Sequence, residues 1–234
     1  MPMGIIVNIC SVLLGGLLGT LLRRFIPGFL KEHLPLYCGI MSFVIGVATM
    51  RDLKTMAAVV GALLIGAIIG ELLHLEERLD SVGAHAQKAV TRIMPKLSGG
   101  DHADINMLIA VIILFVFNGS GFFGALNEGM TGDGSFLIAK SVLDFVTAIV
   151  FATTLGIIVS LLAAPQAVVL FLLFACAGLI VPHATPVMLA DFQACGGAIM
   201  FFTGFRIAKM KDIPVTNLLP ALVLVMPFSY LCNL

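Results

Sequence analysis

FLIAKSVLDFVTAIVFATTLGIIVSLLAA, residues 136–164, decides the fold. It exceeds the ~20 apolar residues needed to cross a bilayer, yet it carries Lys140 and Asp144. An ionised side chain near the middle of a membrane helix costs roughly 2.5–3.5 kcal/mol on insertion scales, and chains that keep one there usually use it. Asp144 lies ~12 Å into the span by helical rise. Lys140 precedes it by one turn, the i, i+4 spacing of a helical ion pair, and is shallow enough to snorkel toward the near surface. Two readings compete. In one the pair is a neutral packing device. In the other Asp144 titrates a proton or binds a cation, with Lys140 tuning it or leaving when substrate arrives. Thr147 extends the same face.

Composition agrees with a lipid-dissolved chain. Of 234 residues, 60% are hydrophobic and 11% charged, with a mean hydropathy of +1.12; soluble domains carry about 25% charged residues. The formal net charge is zero, which argues against nucleic acid as a partner, since that requires a basic stripe. The five cysteines, Cys10, Cys38, Cys176, Cys195 and Cys232, lie singly in apolar runs and read as small hydrophobes, not as metal ligands or disulfides. No cofactor is indicated. No GxSxG, HExxH, P-loop or dinucleotide turn is present, so an enzyme is not expected.

Apolar segments fall at about 4–22, 34–50, 55–73, 105–126, 136–164, 166–181, 188–208 and 214–234. The expected fold is therefore an all-α polytopic transmembrane bundle of seven to eight helices in a single membrane domain, 1–234. The second and sixth segments are short enough to be re-entrant. Arg23 and Arg24 follow the first run and do not precede it, which suits a first membrane helix better than a cleaved leader. Eight crossings place Arg23, Arg24 and Lys31, then Arg78, Lys88, Arg92 and Lys96, then Arg206, Lys209 and Lys211 on one face. By the positive-inside rule that face is cytoplasmic and both termini are outside. Residues 74–97 have apolar positions at helical spacing and read as an amphipathic helix on the cytoplasmic interface: a linker, or a docking site for a soluble partner.

A weak inverted repeat is visible. Cys38-Gly39, Gly46, Arg51 and Lys54 resemble Cys195-Gly196, Gly204, Arg206 and Lys209 if one residue is inserted. Inverted repeats are a common plan of secondary transporters. The fourth segment contains Asn118-Gly119-Ser120-Gly121 and Gly124. These glycines serve close packing with Asn118 bonded across the bundle, or mark a broken helix whose freed backbone binds substrate. Asn127 to Gly134 reads as an acidic outer turn in which Glu128 collects cations at an entrance. Asn217 and Pro220 stand in the last helix, where Pro220 and Pro227 are expected to kink it.

The run Gly124-Ala-Leu-Asn-Glu-Gly-Met-Thr-Gly-Asp133, then Leu137-x-x-Lys140-Ser-x-Leu-Asp144 and Ala152-Thr-Thr-x-Gly156, resembles the YqgA/YdfK family of bacterial membrane proteins of unknown function, sometimes labelled transporters. Asn8, Gly15-Gly16, Gly19, Gly61, Gly66, Gly70-Glu71 and Asn217-Leu-Leu-Pro220 fit the same pattern. The resemblance implies a multi-pass protein of the bacterial cytoplasmic membrane. It implies no mechanism.

The expectation is a small secondary transporter or exchanger of an ion or metabolite. Asp144 is its coupling carboxylate and Lys140 its partner. Asn118, Gly119 and Ser120 form a substrate site, with Asn217 opposite and Glu128 at the entrance. The rival is a non-transporting scaffold that recruits a partner through residues 74–97. The lipid bilayer is a partner under either reading, and a homo-oligomer is compatible with both.

Overall fold

The computed structural model describes residues 1–79, 81, 108 and 111–233. Among these there is no strand. The long helices are α1 (Met3–Leu22), α2 (Gly28–Thr49), α3 (Met56–Leu72), α4 (Gly119–Thr131), α5 (Ser135–Leu155), α6 (Ala163–Ile180), α7 (Pro186–Ile207) and α8 (Leu219–Cys232). Helical residues 111–116 lead into α4, Ile158–Leu161 into α6 and the 3-10 turn Val215–Leu218 into α8. In hydrocarbon every backbone group must find its partner within the segment, which is why this composition resolves into helices.

Seven of these stretches are long and apolar enough to span a membrane, including Gly28–Asp52 and Ile158–Ile180, the two expected to be doubtful. The short one is α3, at 17 residues. Interior position differs sharply among them. Of the best window in each span, 78% is buried for Val111–Thr131 and 67% for Pro186–Ile207, against 33% for α1 and 28% for Gly28–Asp52. The α4 and α7 spans are thus central, while α1 and α2 line the rim and turn Leu14, Leu17, Leu21, Val44 and Val47 outward.

Glycine contacts fix the helix directions. Gly15 and Gly19 of α1 lie on the Phe145 and Ile149 carbonyls of α5, so α1 and α5 run parallel. Gly121 and Gly129 of α4 meet Leu170 and Phe174 of α6, a second parallel pair. Gly66 and Gly70 of α3 meet Ala221 and Asn217, so α3 and α8 are antiparallel. All three relations follow if every helix, α3 included, reverses direction relative to the one before. The two termini then share one face with Thr55 and Gly134, while Arg23, Arg24, Arg206, Lys209 and Lys211 share the other.

The antiparallel α2–α7 crossing carries the internal repeat, in a register different from the expected one. A Cβ at Gly39 would meet Gly204 and Ala208, and one at Gly197 would meet Gly46 and Met50. A Cβ at Gly46 would meet Gly197 and Phe201, and one at Gly204 would meet Gly39 and Phe43. Each contact maps onto its counterpart by one step of 158 residues, without an insertion. Gly39, Phe43 and Gly46 correspond to Gly197, Phe201 and Gly204, and the Phe43 and Phe201 rings pack on each other at 4.8 Å. The cysteine match is therefore coincidental; backbone-to-backbone approach, which only glycine permits, is what recurs.

Several boundaries differ from those expected. The apolar run 136–164 is two elements, because Gly156 turns the chain at φ +68°. Helix α4 passes through Asn127-Glu128-Gly129 and stops at Gly132, φ +76°, so the expected loop is mostly helix. Pro220 sits in the first turn of α8, where a missing N–H costs nothing, and does not kink the helix. Of the expected amphipathic helix, residues 75–79 are helical and most of the remainder lies outside the described residues.

Candidate functional site

Lys140 and Asp144 are both on the inward side of α5, 2% and 7% exposed. The Lys140 ammonium does not snorkel. It turns along its own helix and donates to Asp144 Oδ2 at 2.5 Å. Asp144 Oδ2 also accepts from Asn8 Nδ2 of α1 at 2.7 Å, and Asn8 Oδ1 accepts from Gln166 Nε2 of α6 at 2.7 Å. Asn8 and Gln166 are 0% and 1% exposed. A chain of hydrogen bonds therefore joins three helices at one depth. Buried polar groups in such a chain must be partnered, because each unmet one costs about 1–3 kcal/mol. The pair is not a cheap packing device: charges taken out of water lose several kcal/mol each, which their attraction repays only with good geometry and added hydrogen bonds.

Asn8 and Gln166 stand 158 residues apart, the step that relates α2 to α7. Asn8 entered the sequence reading only through the family pattern, and Gln166 not at all. The available signal was a glutamine beside Pro165 in a span of mean hydropathy 2.4.

One turn above Lys140, on the face that carries the termini, a cavity of about 270 Å³ opens between the ends of α2, α4, α5 and α7. Thr49, Asp52, Asn127, Asp133, Ser135 and Gln193 line it, with Phe123, Phe136 and Ala139. Gln193 donates to Asn127 Oδ1 at 3.2 Å, and Asn127 donates to the Asp133 carbonyl at 3.3 Å. The Ser135 hydroxyl and N–H hold the Asp133 carboxyl below the usual carboxylate range. Phe123 and Phe136 meet edge to face at 4.7 Å. Phe136 lines the cavity one helical turn before Lys140 on α5.

The other expected site residues are not gathered here. Asn118 caps α4: its Oδ1 accepts from the Ser120 N–H at 3.1 Å and the Ser120 hydroxyl at 3.0 Å. Among the described residues it faces Thr203, Arg206 and Thr216 across a void of about 10 Å³, room for one water. The α4 span is broken at this point, as the glycine-rich reading required. Glu128 is 2% exposed and accepts from the Gly4 and Ile5 N–H groups at 2.7 and 3.0 Å; it anchors the first turn of α1 instead of gathering cations. Asn217 accepts from the Glu76 N–H at 2.8 Å, while Glu76 accepts from Arg206 and the Thr216 N–H. Asp191 is fully buried and accepts from Lys54 N, Thr55 N and Ser229 Oγ. Glu128, Asp191 and Glu76 thus each hold the N-terminus of a helix from another part of the chain, where the backbone dipole favours negative charge.

These features define a polytopic α-helical membrane protein with a buried charged pair on one of its spans. The family described as "Protein of unknown function (DUF554)" matches residues 3–230, and the chain belongs to it. It is 43% identical over 229 residues to the Escherichia coli (strain K12) "Uncharacterized protein YqgA", covering 98% of this chain and 97% of that protein. It is 23% identical to the Bacillus subtilis (strain 168) "Uncharacterized membrane protein YdfK", covering 94% and 93%. No solved structure matches.

Proposed function

We propose that the chain is a secondary transporter or exchanger of a small ion or metabolite in the bacterial cytoplasmic membrane, with Asp144 as its coupling carboxylate. The observation that carries this reading is the buried Lys140–Asp144 pair, tied to α1 and α6 and one turn below an open polar cavity. A carboxylate that binds a proton or cation gives up its hold on Lys140, so occupancy of Asp144 alters the contact between α5 and its neighbours. The repeated α2–α7 crossing supplies the kind of symmetric contact about which two halves can rock. Asp52 and Asp133, with no basic side chain lining the cavity, favour cations at its mouth. The basic face is the cytoplasmic one under this reading.

The test is flux in proteoliposomes under an imposed ion gradient, screened over small solutes. The wild type should move a solute in exchange for, or together with, the driving ion. Asp144→Asn should uncouple or abolish that movement while remaining folded. Transport by Asp144→Asn with unchanged pH and ion dependence would refute the coupling role. The scaffold reading rests on residues 74–97, most of which lie outside the described residues.

A further inference from the structure

The step of 158 residues that joins Asn8 to Gln166 reaches beyond those two residues and the α2–α7 crossing. Carried forward by it, Gly28–Thr49 of α2 falls on Pro186–Ile207 of α7 at both ends, and the end of α1 at Leu22 falls on the end of α6 at Ile180. Helix α3, Met56–Leu72, falls within two residues of the last span, Val215–Cys232, at each end. The segments α1–α2–α3 and α6–α7–α8 are therefore one pattern used twice. Because α2 and α7 run antiparallel, the two copies point in opposite directions. Helices α4 and α5, between the copies, exchange under the same operation: α1 lies parallel to α5 through Gly15 and Gly19, and α6 lies parallel to α4 through Gly121 and Gly129. The bundle thus has an approximate two-fold relation whose axis lies in the membrane plane.

The empty spaces break that relation. The cavity of about 270 Å³ lies between the end of α2, at Ile45 and Ala48, and the start of α5, at Ser135 and Phe136. Its image lies between the end of α7 and the start of α4. Thr203 and Arg206, which stand 158 residues after Ile45 and Ala48, face Asn118 and Gly119 there. Among the described residues the space at the image is about 10 Å³. One mouth is open and its counterpart is shut. What fastens the shut one is specific to it. Ala48 brings only a methyl group to the open cavity. At the equivalent position Arg206 donates to Glu76 and lies 3.7 Å from Asp212. Glu76 also accepts from the Thr216 N–H at 3.0 Å, so one carboxylate ties the end of α7 and the start of the last span to the helical residues 75–79. Both side chains of the Arg206–Glu76 pair are largely buried, where a charge-assisted bond holds better than on an open surface.

We propose that the void beside Asn118, Thr203 and Arg206 is the second mouth of the solute path, shut in this state by the Arg206–Glu76 pair, and that the molecule exchanges its two mouths through the inverted relation of its halves. This deepens the transporter reading and rests on it. In the exchanged state Arg206 leaves Glu76, the space beside Asn118 opens to the basic face and the cavity at Ala48 closes. Asn118, Gly119 and Ser120 then border the path from that side. A conformer a few kcal/mol above the main one is about 0.1–10% populated. An ion pair made only in the main state holds the other one down, and removing it raises the population of the exchanged state.

The experiment uses the full chain in liposomes, with its five native cysteines replaced and one introduced as Thr203→Cys. A membrane-impermeant methanethiosulfonate is applied at the basic face. Thr203 is buried, so labelling of this parent is slow. Glu76→Gln keeps an acceptor for the Thr216 N–H but loses the charge, and should speed labelling at least about tenfold. Arg206→Gln, which breaks the pair from its other side, should do the same. Ala48→Trp fills the open cavity and has no room once that cavity closes. Added to either variant, it should return labelling to the parent rate. A fast rate that survives Ala48→Trp marks local loosening at the end of α7 and overturns the exchange of mouths, as does the absence of any rise in both variants. The labelling needs no solute, so the transporter reading is scored apart from it: no flux of any solute in the wild-type chain, with the labelling pattern as expected, refutes transport and leaves the two-state molecule standing.

Discussion

The Lys140 ammonium and the Asp144 carboxylate sit in a place where removing either one is worse than removing both. Asp144→Asn leaves a buried ammonium without an anion, and such single truncations cost about 3–5 kcal/mol. The double substitution Lys140→Met/Asp144→Asn removes both charges and should recover most of that loss. Thermal unfolding of the purified protein in detergent measures the recovery. The double variant should fold but not transport, which separates the pair's role in folding from its role in function. Glu128→Gln is expected to behave differently. It removes a charge from the first turn of α1, an interaction worth roughly 0.3–2 kcal/mol, and should lower stability by that amount with transport intact. How much was legible differs among these residues. The i, i+4 spacing in an apolar run announced Lys140–Asp144. Glu128 was misread because Asn-Glu-Gly-Met-Thr-Gly has the composition of a turn. What ends α4 is the positive φ of Gly132, and Gly129 inside the helix serves contact with Phe174 and Ala177.

Elements here are positioned by glycine. Where α2 crosses α7, added methyl groups at Gly46 or Gly204 would sit 2.7 Å from the opposing helix. Gly46→Ala and Gly204→Ala should each destabilise by about 1–3 kcal/mol, the usual cost of overpacking. Gly61→Ala is the control: its nearest neighbour would be the Phe228 ring at 3.5 Å, an ordinary contact, and stability should be nearly unchanged. Chemical denaturation of the three variants in one detergent checks the ranking. Helix number and most span centres could be read from hydropathy, since lipid imposes them. The partners of each helix could not, because a glycine in a membrane helix states that something comes close but not what. The repeat illustrates the same limit. Cysteines drew attention to the right two helices, but the reciprocal contacts of Gly39, Gly46, Gly197 and Gly204 set the register.

At the scale of the whole molecule, the parallel and antiparallel contacts are all met when each helix reverses direction, with both termini on one face. Fusions of alkaline phosphatase and green fluorescent protein to each terminus should report the same side, outside for a cytoplasmic basic face. Opposite sides for the two termini would break the parity on which the basic face and the cavity mouth are assigned. Proton coupling through Asp144, in which the buried carboxylate works by changing its protonation, is open to one measurement that needs no substrate. Infrared difference spectra of wild type and Asp144→Asn, titrated over the pH range in which both stay folded, isolate the Asp144 carboxyl. The predicted result is a protonated-carboxyl band that grows as the pH falls in the wild type and is missing from Asp144→Asn. A carboxylate that stays ionised across the whole range would contradict the claim and leave Lys140–Asp144 as a fixed pair that only holds α5 against α1.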